Sequence, residues 1–356
     1  MDVERKIELV RRRPAAEVIT EEELRALFET NAHPKHYIGF EISGMVHLGT
    51  GLVSALKIND LIEAGVRPTI FLADYHAWLN GKLGGDLEKI QKVAKGYFKH
   101  AFISLGLDEA RVGYILASES YDDDYWKNVL GVAKDTTLKR MLRCTTIMGR
   151  KESEANDAAS ILYPAMQTAD IFKLDVDIAH AGMDQRKVHV LAREMADKWK
   201  RKKPIALHAR LLMGLQGPQK MGMDESAKAD VEISSKMSKS KPESCIYIHD
   251  SEEEIKKKIG KAHCPPKVVE ENPIVEICEY ILMRDENARM KIEREKKYGG
   301  DVEFNLSELK MEYASGSLHP MDLKNAVARE LAKVLTPSRE YFAKHSEFAW
   351  PGDAGE

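Results

Sequence analysis

Apolar positions recur along the chain in two rhythms. Four short runs, H-Y-I-G-F-E-I at 36–42, P-T-I-F-L-A-D at 68–74, V-G-Y-I-L-A-S at 112–118 and V-D-I-A-H-A-G at 176–182, are bounded by turn residues. Their β-branched and aromatic content predicts buried strands. Between the first two, Leu52, Ala55, Ile58 and Ile62 fall at helical spacing. Gly65 then ends the pattern, as a residue free to take positive φ would. Strand, helix and strand in that order predict an α/β fold with a parallel sheet, whose ligand sites lie at the carboxyl ends of its strands.

After about residue 217 the pattern dissolves. The stretch 217–243 is rich in Gly, Ser, Lys and Met without a sustained period, and reads as a long mobile loop. Helical stripes follow. Ile274, Ile277, Cys278 and Ile281 form one, begun by Asn272 and Pro273 as N-cap and N1; Leu323, Val327, Leu331 and Leu335 form another. The predicted organisation is a helical segment over 1–35, an α/β domain over 36–250, and an all-helical domain over 251–356.

Composition adds little to this picture. Of 356 residues 31% are charged, yet the formal net charge is −3, so bulk charge names no partner. Local basic clusters occur at Lys139–Arg143, at 150–151 and at Lys198–Lys203; each is either a solvated helix face or an RNA-facing patch. Cys144, Cys245, Cys264 and Cys278 are far apart and lack zinc-ligand spacing, so no metal site is expected and reduced thiols in a cytoplasmic protein are. The charged start of the chain has no signal-peptide core, and no apolar run reaches membrane-spanning length, so no membrane association is expected.

Three stretches carry chemistry. In G-M-V-H-L-G-T-G, residues 44–51, His47 and Gly49 stand where a strand gives way to a helix. This is either an ordinary turn or a phosphate-facing corner, since glycine admits close approach and the helix N-terminus favours negative charge. K-M-S-K-S at 236–240 sets Lys236 and Lys239 around Met237, Ser238 and Ser240 in the predicted loop, which suits either a solvated basic loop or a mobile clamp on polyphosphate. In L-Y-P-A-M-Q-T-A-D-I-F, residues 162–172, Pro164 fits a first helical turn, so Tyr163, Gln167 and Asp170 share one face. A buried carboxylate there needs a partner, either the protein's own donors or a small polar ligand.

H-x-G followed about 190 residues later by K-M-S-K-S resembles the paired signatures of class I aminoacyl-tRNA synthetases, and the face at 163–170 resembles the amino-acid pocket of tyrosyl-tRNA synthetases of the archaeal and eukaryotic type. The resemblance runs from Tyr37 to about Leu335 and implies that residues 36–250 are a Rossmann-like catalytic domain with a helical insertion at about 123–160. It implies that Tyr37 and Asp170 grip the substrate phenol, that Tyr163, Gln167 and Gln185 hold its ammonium group, and that His76 lines the pocket. An acceptor and a donor on one phenolic hydroxyl would reject phenylalanine, the kind of discrimination for which tyrosyl-tRNA synthetases are the standard example. Glu41, Gly44, Gly49, Thr50, Gly182 and Asp184 would join His47 and residues 236–240 in binding ATP with its Mg2+.

In L-H-P-M-D, His319, Pro320 and Asp322 read by themselves as a helix start. The resemblance places Asp322 on the first anticodon base, Tyr298 stacked on that base, and Cys264 and Pro265 nearby, while Arg143, Arg186 and Lys187 lie near the tRNA acceptor end. The implied catalytic residues are His47, Lys236 and Lys239. The implied activity is tyrosine–tRNA ligation by a homodimer, with L-tyrosine and tRNA(Tyr) as substrates. A tryptophan-specific relative, a small-molecule nucleotidyltransferase and a non-catalytic RNA-binding relative are the alternatives. The chain departs from the pattern in carrying Thr50 where a second signature histidine is expected, a long segment before K-M-S-K-S, and Tyr121 where an amide is expected at the pocket edge.

Overall fold

The computed structural model describes residues 1–149, 157–224 and 226–352; the basic pair at 150–151 lies outside the described residues. The four expected strands form and are joined by two more. They are β1 (Ala15–Ile19), β2 (Lys35–Glu41), β3 (Arg67–Ala73), β4 (Gly113–Leu116), β5 (Ile178–Gly182) and β6 (Ile205–Ala209), in sheet order β1-β6-β5-β2-β3-β4. All neighbours are parallel except β1, which runs antiparallel along β6. The chain builds outward from β2 to β4 on one side and then returns to lay β5 and β6 on the other. The order therefore reverses between β2 and β5, and a crevice opens at the carboxyl ends of those two strands.

Helices cover both faces. The predicted helix runs Leu52–Glu63, and Gly65, at φ +87°, ends it. Asp157 caps a helix over Ala158–Lys173 by accepting from Ser160 N–H, so Pro164 lies inside that helix rather than in its first turn. Tyr163, Gln167 and Asp170 keep the shared face, because helical spacing and not the starting point sets it.

Three further expectations change. The first 35 residues hold two helices, Val3–Arg11 and Glu21–Thr30, but β1 lies between them, held as an edge strand by pairing that local propensity does not reveal. The stretch 217–243 contains a helix, Ala227–Ser235, capped by Ser226, so it is not wholly irregular. The C-terminal part is helical apart from a two-stranded ribbon of β7 (Arg289–Ile292) and β8 (Val302–Asn305). Both predicted apolar stripes there are buried, and the same hydrophobic core that includes Ile38 and Leu48 continues through Ile277 to Leu335 without a break at residue 250. Among the described residues, the stretch expected to be an insertion holds helices Asp123–Asp135 and Leu138–Cys144 and a short 3-10 turn at Thr145–Met148.

Candidate active site

The crevice is a cavity of about 500 Å³ whose lining takes in Tyr37, Glu41, His47, Asp170, Asp184 and Lys239, drawn from five separate parts of the chain. Its floor is aromatic and apolar around one carboxylate. Asp170, 1% exposed, accepts from Tyr121 Oη at 3.0 Å and has His76 Nε2 at 3.6 Å. Burial pushes its carboxyl well above the usual carboxylate range, and the phenols beside it only partly offset that. Tyr37 stands on β2 edge-on to Phe71; burial and the nearby Asp170 raise its phenol, which stays neutral. Gly39, the next residue on that face of the strand, leaves the phenol its space, since a Cβ there would come within 3.2 Å of the Tyr37 hydroxyl. His76 meets Tyr163 edge-on at 4.6 Å, and both of its ring nitrogens are buried without a hydrogen-bond partner. A polar ligand inserted here would meet the unpaired nitrogens and the carboxylate together, which is what a buried polar group without a partner calls for.

The middle of the cavity is polar. Gln167 Nε2 donates to Gln185 Oε1 at 3.2 Å, and Gln185 Nε2 donates to the Ile147 carbonyl at 3.0 Å. Tyr163 Oη donates to Glu41 Oε1 at 3.2 Å, Asn80 Nδ2 donates to the same oxygen at 2.6 Å, and Lys82 Nζ lies 3.5 Å from Oε2. Glu41, at the end of β2, thus joins the amino-acid side of the cavity to its mouth.

At the mouth, His47 is 6% exposed and its imidazole is oriented by its own turn. Gly49 and Thr50 N–H groups point at Nδ1 from 3.2 and 3.4 Å, and Thr50 Oγ1 is 3.0 Å from Nε2. Two amide donors on Nδ1 leave the proton on Nε2, which then donates to Thr50. Burial first, and Lys239 and Lys236 next, lower its pKa to about 3, so the ring is neutral at ordinary pH. Backbone bonds fasten this turn to the segment after K-M-S-K-S: Leu48 N–H donates to the Ile246 carbonyl at 3.0 Å and Ile248 N–H to the Val46 carbonyl at 3.1 Å. Lys236 Nζ pairs with Asp184 at 2.6 Å; burial opposes its charge, but the carboxylate outweighs it and the ammonium is held up. Lys239 Nζ donates to Ser43 Oγ at 2.8 Å, and burial brings its pKa down to about 8 despite the pull of Glu41. Gly44, at φ +125°, passes closest to the Lys239 side chain. Two ammonium groups, an imidazole N–H and glycine-bared backbone make a mouth suited to a polyphosphate.

Of the residues assigned to the amino acid and to ATP, all but Gly44 line this one cavity, and Gly44 stands beside Lys239 at its rim. The sequence reading did not anticipate Ser43, Asn80 and Lys82, whose short polar side chains or single charge carry no spacing signal. It marked Tyr121 as a departure without foreseeing that its hydroxyl would bond Asp170.

The residues assigned to RNA are spread more widely. Arg143 is exposed, Arg186 forms a two-pronged pair with Glu17, and Lys187 pairs with Asp224 at 3.0 Å. At the far end His319 caps the helix Pro320–Lys344 by accepting from Met321 N–H, and Asp322 lies in its first turn. Tyr298 is 63% exposed with Lys297 over its ring. Cys264 and Pro265 sit against Tyr313, whose hydroxyl is 3.0 Å from both Cys264 Sγ and the Pro265 carbonyl.

A parallel sheet whose β2–helix corner faces two loop lysines defines a nucleotide-dependent enzyme of the class I synthetase architecture. The family of class I tRNA synthetases for tryptophan and tyrosine matches residues 29–234 and 229–336. A tyrosine–tRNA ligase of Thermococcus kodakarensis is 53% identical over 98% of this chain and 97% of its own length, and one of Pyrococcus furiosus is 49% identical over the same shares. The solved tyrosyl-tRNA synthetase of Pyrococcus horikoshii, complexed with L-tyrosine, matches at a TM-score of 0.91 with 49% identity, covering 98% of each chain. That of Archaeoglobus fulgidus, also with L-tyrosine, matches at 0.84 with 42% identity, covering 96% of this chain and 99% of its own. The chain belongs to the tyrosyl-tRNA synthetases.

Proposed function

We propose that the protein activates L-tyrosine with ATP and transfers it to the 3′-terminal adenosine of tRNA(Tyr). The observation that carries this reading is the buried acceptor Asp170 facing the Tyr37 phenol at the floor of a cavity whose mouth holds His47, Lys236 and Lys239. A substrate phenol would donate to Asp170 and accept from Tyr37; phenylalanine would leave both unpaired. An indole offers only a donor, which disfavours the tryptophan alternative. Gln167, Gln185 and Tyr163 would receive the ammonium group, while Glu41, Gly182 and Asp184 would meet adenosine and ribose.

The tyrosine carboxylate attacks the α-phosphorus, the bond to the bridging oxygen breaks, and pyrophosphate leaves with that electron pair. The terminal adenosine hydroxyl then attacks the activated carbonyl and AMP departs. No side chain becomes a covalent nucleophile. The protein's part is alignment and stabilisation of developing phosphate charge by Lys236, Lys239 and the His47 Nε2–H, which would turn from Thr50 Oγ1 to a phosphate oxygen when ATP binds. Mg2+ would enter with ATP and offset phosphate charge, a role that needs no dedicated protein cage.

The same reading gives the C-terminal helices, with Asp322 and Tyr298, to the anticodon, and Arg143, Arg186 and Lys187 to the acceptor end. The insertion carries exposed Trp126, Leu130 and Leu138, an apolar surface that favours a homodimer. All four cysteines are free thiols, which favours the cytoplasm. No helix among the described residues is long and apolar enough to cross a membrane.

ATP–pyrophosphate exchange measured with each of the twenty amino acids tests the proposal. Exchange driven by tyrosine alone is expected, and exchange driven by tryptophan or by none overturns it. Asp322→Ala is expected to weaken charging of tRNA(Tyr) and leave exchange intact; loss of exchange would reduce Asp322 to a helix-start residue.

A further inference from the structure

The segment just before H-L-G-T hangs from a side chain that neither the tyrosine pocket nor the lysine loop supplies. Tyr97, 2% exposed, accepts from Val46 N–H at 2.9 Å through its hydroxyl oxygen, and the same oxygen lies 3.1 Å from His249 Nε2. The other side of Val46 is fixed by Ile248, so Tyr97 completes the restraint on the residue next to His47.

Tyr97 is itself covered by the end of the chain. Phe342, in the last turns of the helix Pro320–Lys344, stacks on it at 5.6 Å and 28°, and Trp350 meets it edge-on at 5.2 Å and 76°. The tail reaches further than Tyr97: Trp350 Cη2 lies 3.9 Å from the point where a Gly44 Cβ would stand, with Lys239 Cδ at 3.5 Å from that point. Gly44 is thus flanked by the tail's indole and the loop's lysine. Phe348 anchors the tail by stacking on His100 at 3.5 Å and 7°, and His100 Nδ1 is 2.6 Å from Tyr341 Oη.

We infer that Trp350, acting through Tyr97, is a positioning residue for the ATP half of the reaction: the C-terminal tail holds residues 44–47 at the spacing that lets Gly44, His47 and Lys239 face one triphosphate. Trp350 does not line the cavity; it restrains the backbone between Ser43 and His47, which do. Tyr97 shares a core with Ile38 and Phe40, whereas Tyr37, on the alternate face of β2, packs in a separate cluster with Phe71 and Ile171. A loosened tail therefore affects one substrate and not the other. The inference rests on the reading of H-L-G-T as the ATP corner.

The test is exchange kinetics on the full chain with Trp350→Ala, Trp350→Phe and Tyr97→Phe. Trp350→Ala is expected to raise KM for ATP about three- to tenfold, the size that follows from losing one net hydrogen bond's worth of restraint. KM for tyrosine and Tm should stay close to the parent's. Trp350→Phe, which retains an aromatic edge for Tyr97, should restore most of the ATP KM. Tyr97→Phe, which keeps the ring and removes the hydroxyl that meets Val46 N–H and His249 Nε2, should reproduce the ATP-specific defect. Equal shifts in both KM values, no shift in either, or an alanine and a phenylalanine variant that behave alike would overturn the inference. A parent that activates tyrosine while Trp350→Ala binds ATP normally sinks the inference alone; a parent without tyrosine-driven exchange sinks the functional reading and the inference with it.

Discussion

Lys236 Nζ and Asp184 Oδ2 are 2.6 Å apart, so the first lysine of K-M-S-K-S is clasped to the carboxylate that follows β5. The two groups have different proposed partners, the lysine for phosphate and the aspartate for ribose, and each must release the other to engage ATP. The clasp therefore sets the loop's resting position. Asp184→Asn removes the countercharge and one ribose acceptor together. We expect a rise in KM for ATP of about tenfold, one charge-assisted hydrogen bond, with KM for tyrosine unchanged. Exchange kinetics in both substrates would check it, and a change confined to tyrosine would place Asp184 on the wrong side of the cavity.

Asp170 carries a different burden. Its carboxyl titrates well above the usual range because burial disfavours the charge. A group whose folded pKa is raised contributes stability that is present below the unfolded pKa of about 4 and lost as pH rises through the folded value. At neutral pH the free enzyme therefore holds a group that costs stability and awaits a donor. Asp170→Asn keeps an acceptor for Tyr121 and removes the ionisable group, so Tm at pH 7 should rise while tyrosine-driven exchange collapses. The gain should shrink as pH falls below about 4, where the parent's carboxyl is protonated in both states. Scanning calorimetry at the two pH values decides the matter, and a Tm that falls at pH 7 would show that Asp170 is a net stabiliser.

Lys239 should leave its mark on the pH profile. Burial lowers its pKa from 10.5 to about 8, so as pH rises through 8 the free enzyme loses one of the two cations proposed for phosphate. We expect kcat/KM for ATP to fall with a limb near pH 8, and Lys239→Arg to abolish that limb because guanidinium keeps its charge. A limb that survives the arginine substitution belongs to another group.

How far these groups could be read from the sequence depended on how local their signals are. The strands β2 to β5 announced themselves as apolar runs, and Asn272-Pro273 and Gly65 marked helix ends because capping is decided by adjacent residues. β1 and β6 did not: A-A-E-V-I has no clean alternation, and its strand exists only because β6 offers an edge. In the site, residues with a fixed spacing, His47 to Gly49 or Tyr163 to Asp170, were legible. The bonds between distant positions were not. Tyr121 to Asp170, Lys239 to Ser43 and Tyr97 to Val46 span 49, 196 and 51 positions, and nothing in either partner's neighbourhood specifies the other.

Thr50 shows what the structure adds at a position the sequence marked as anomalous. A hydroxyl cannot carry the positive charge of a second histidine, and the bond from His47 Nε2 to Thr50 Oγ1 gives it a different task, holding the one imidazole in place. His47 needs that help because it stays neutral, its pKa near 3 against an ordinary 6.5, so it can act on phosphate only through its one N–H, which Thr50 holds aligned until a phosphate oxygen takes it over. The exchange rate should accordingly show no limb near pH 6.5. Thr50→Ala should slow exchange by about two- to tenfold, the range of one net hydrogen bond, and Thr50→Ser should restore it. Thr50→His tests the alternative in which charge matters more than orientation: if histidine outperforms threonine while alanine matches the parent, position 50 is a vacant charge site and the 3.0 Å contact holds nothing that the reaction uses.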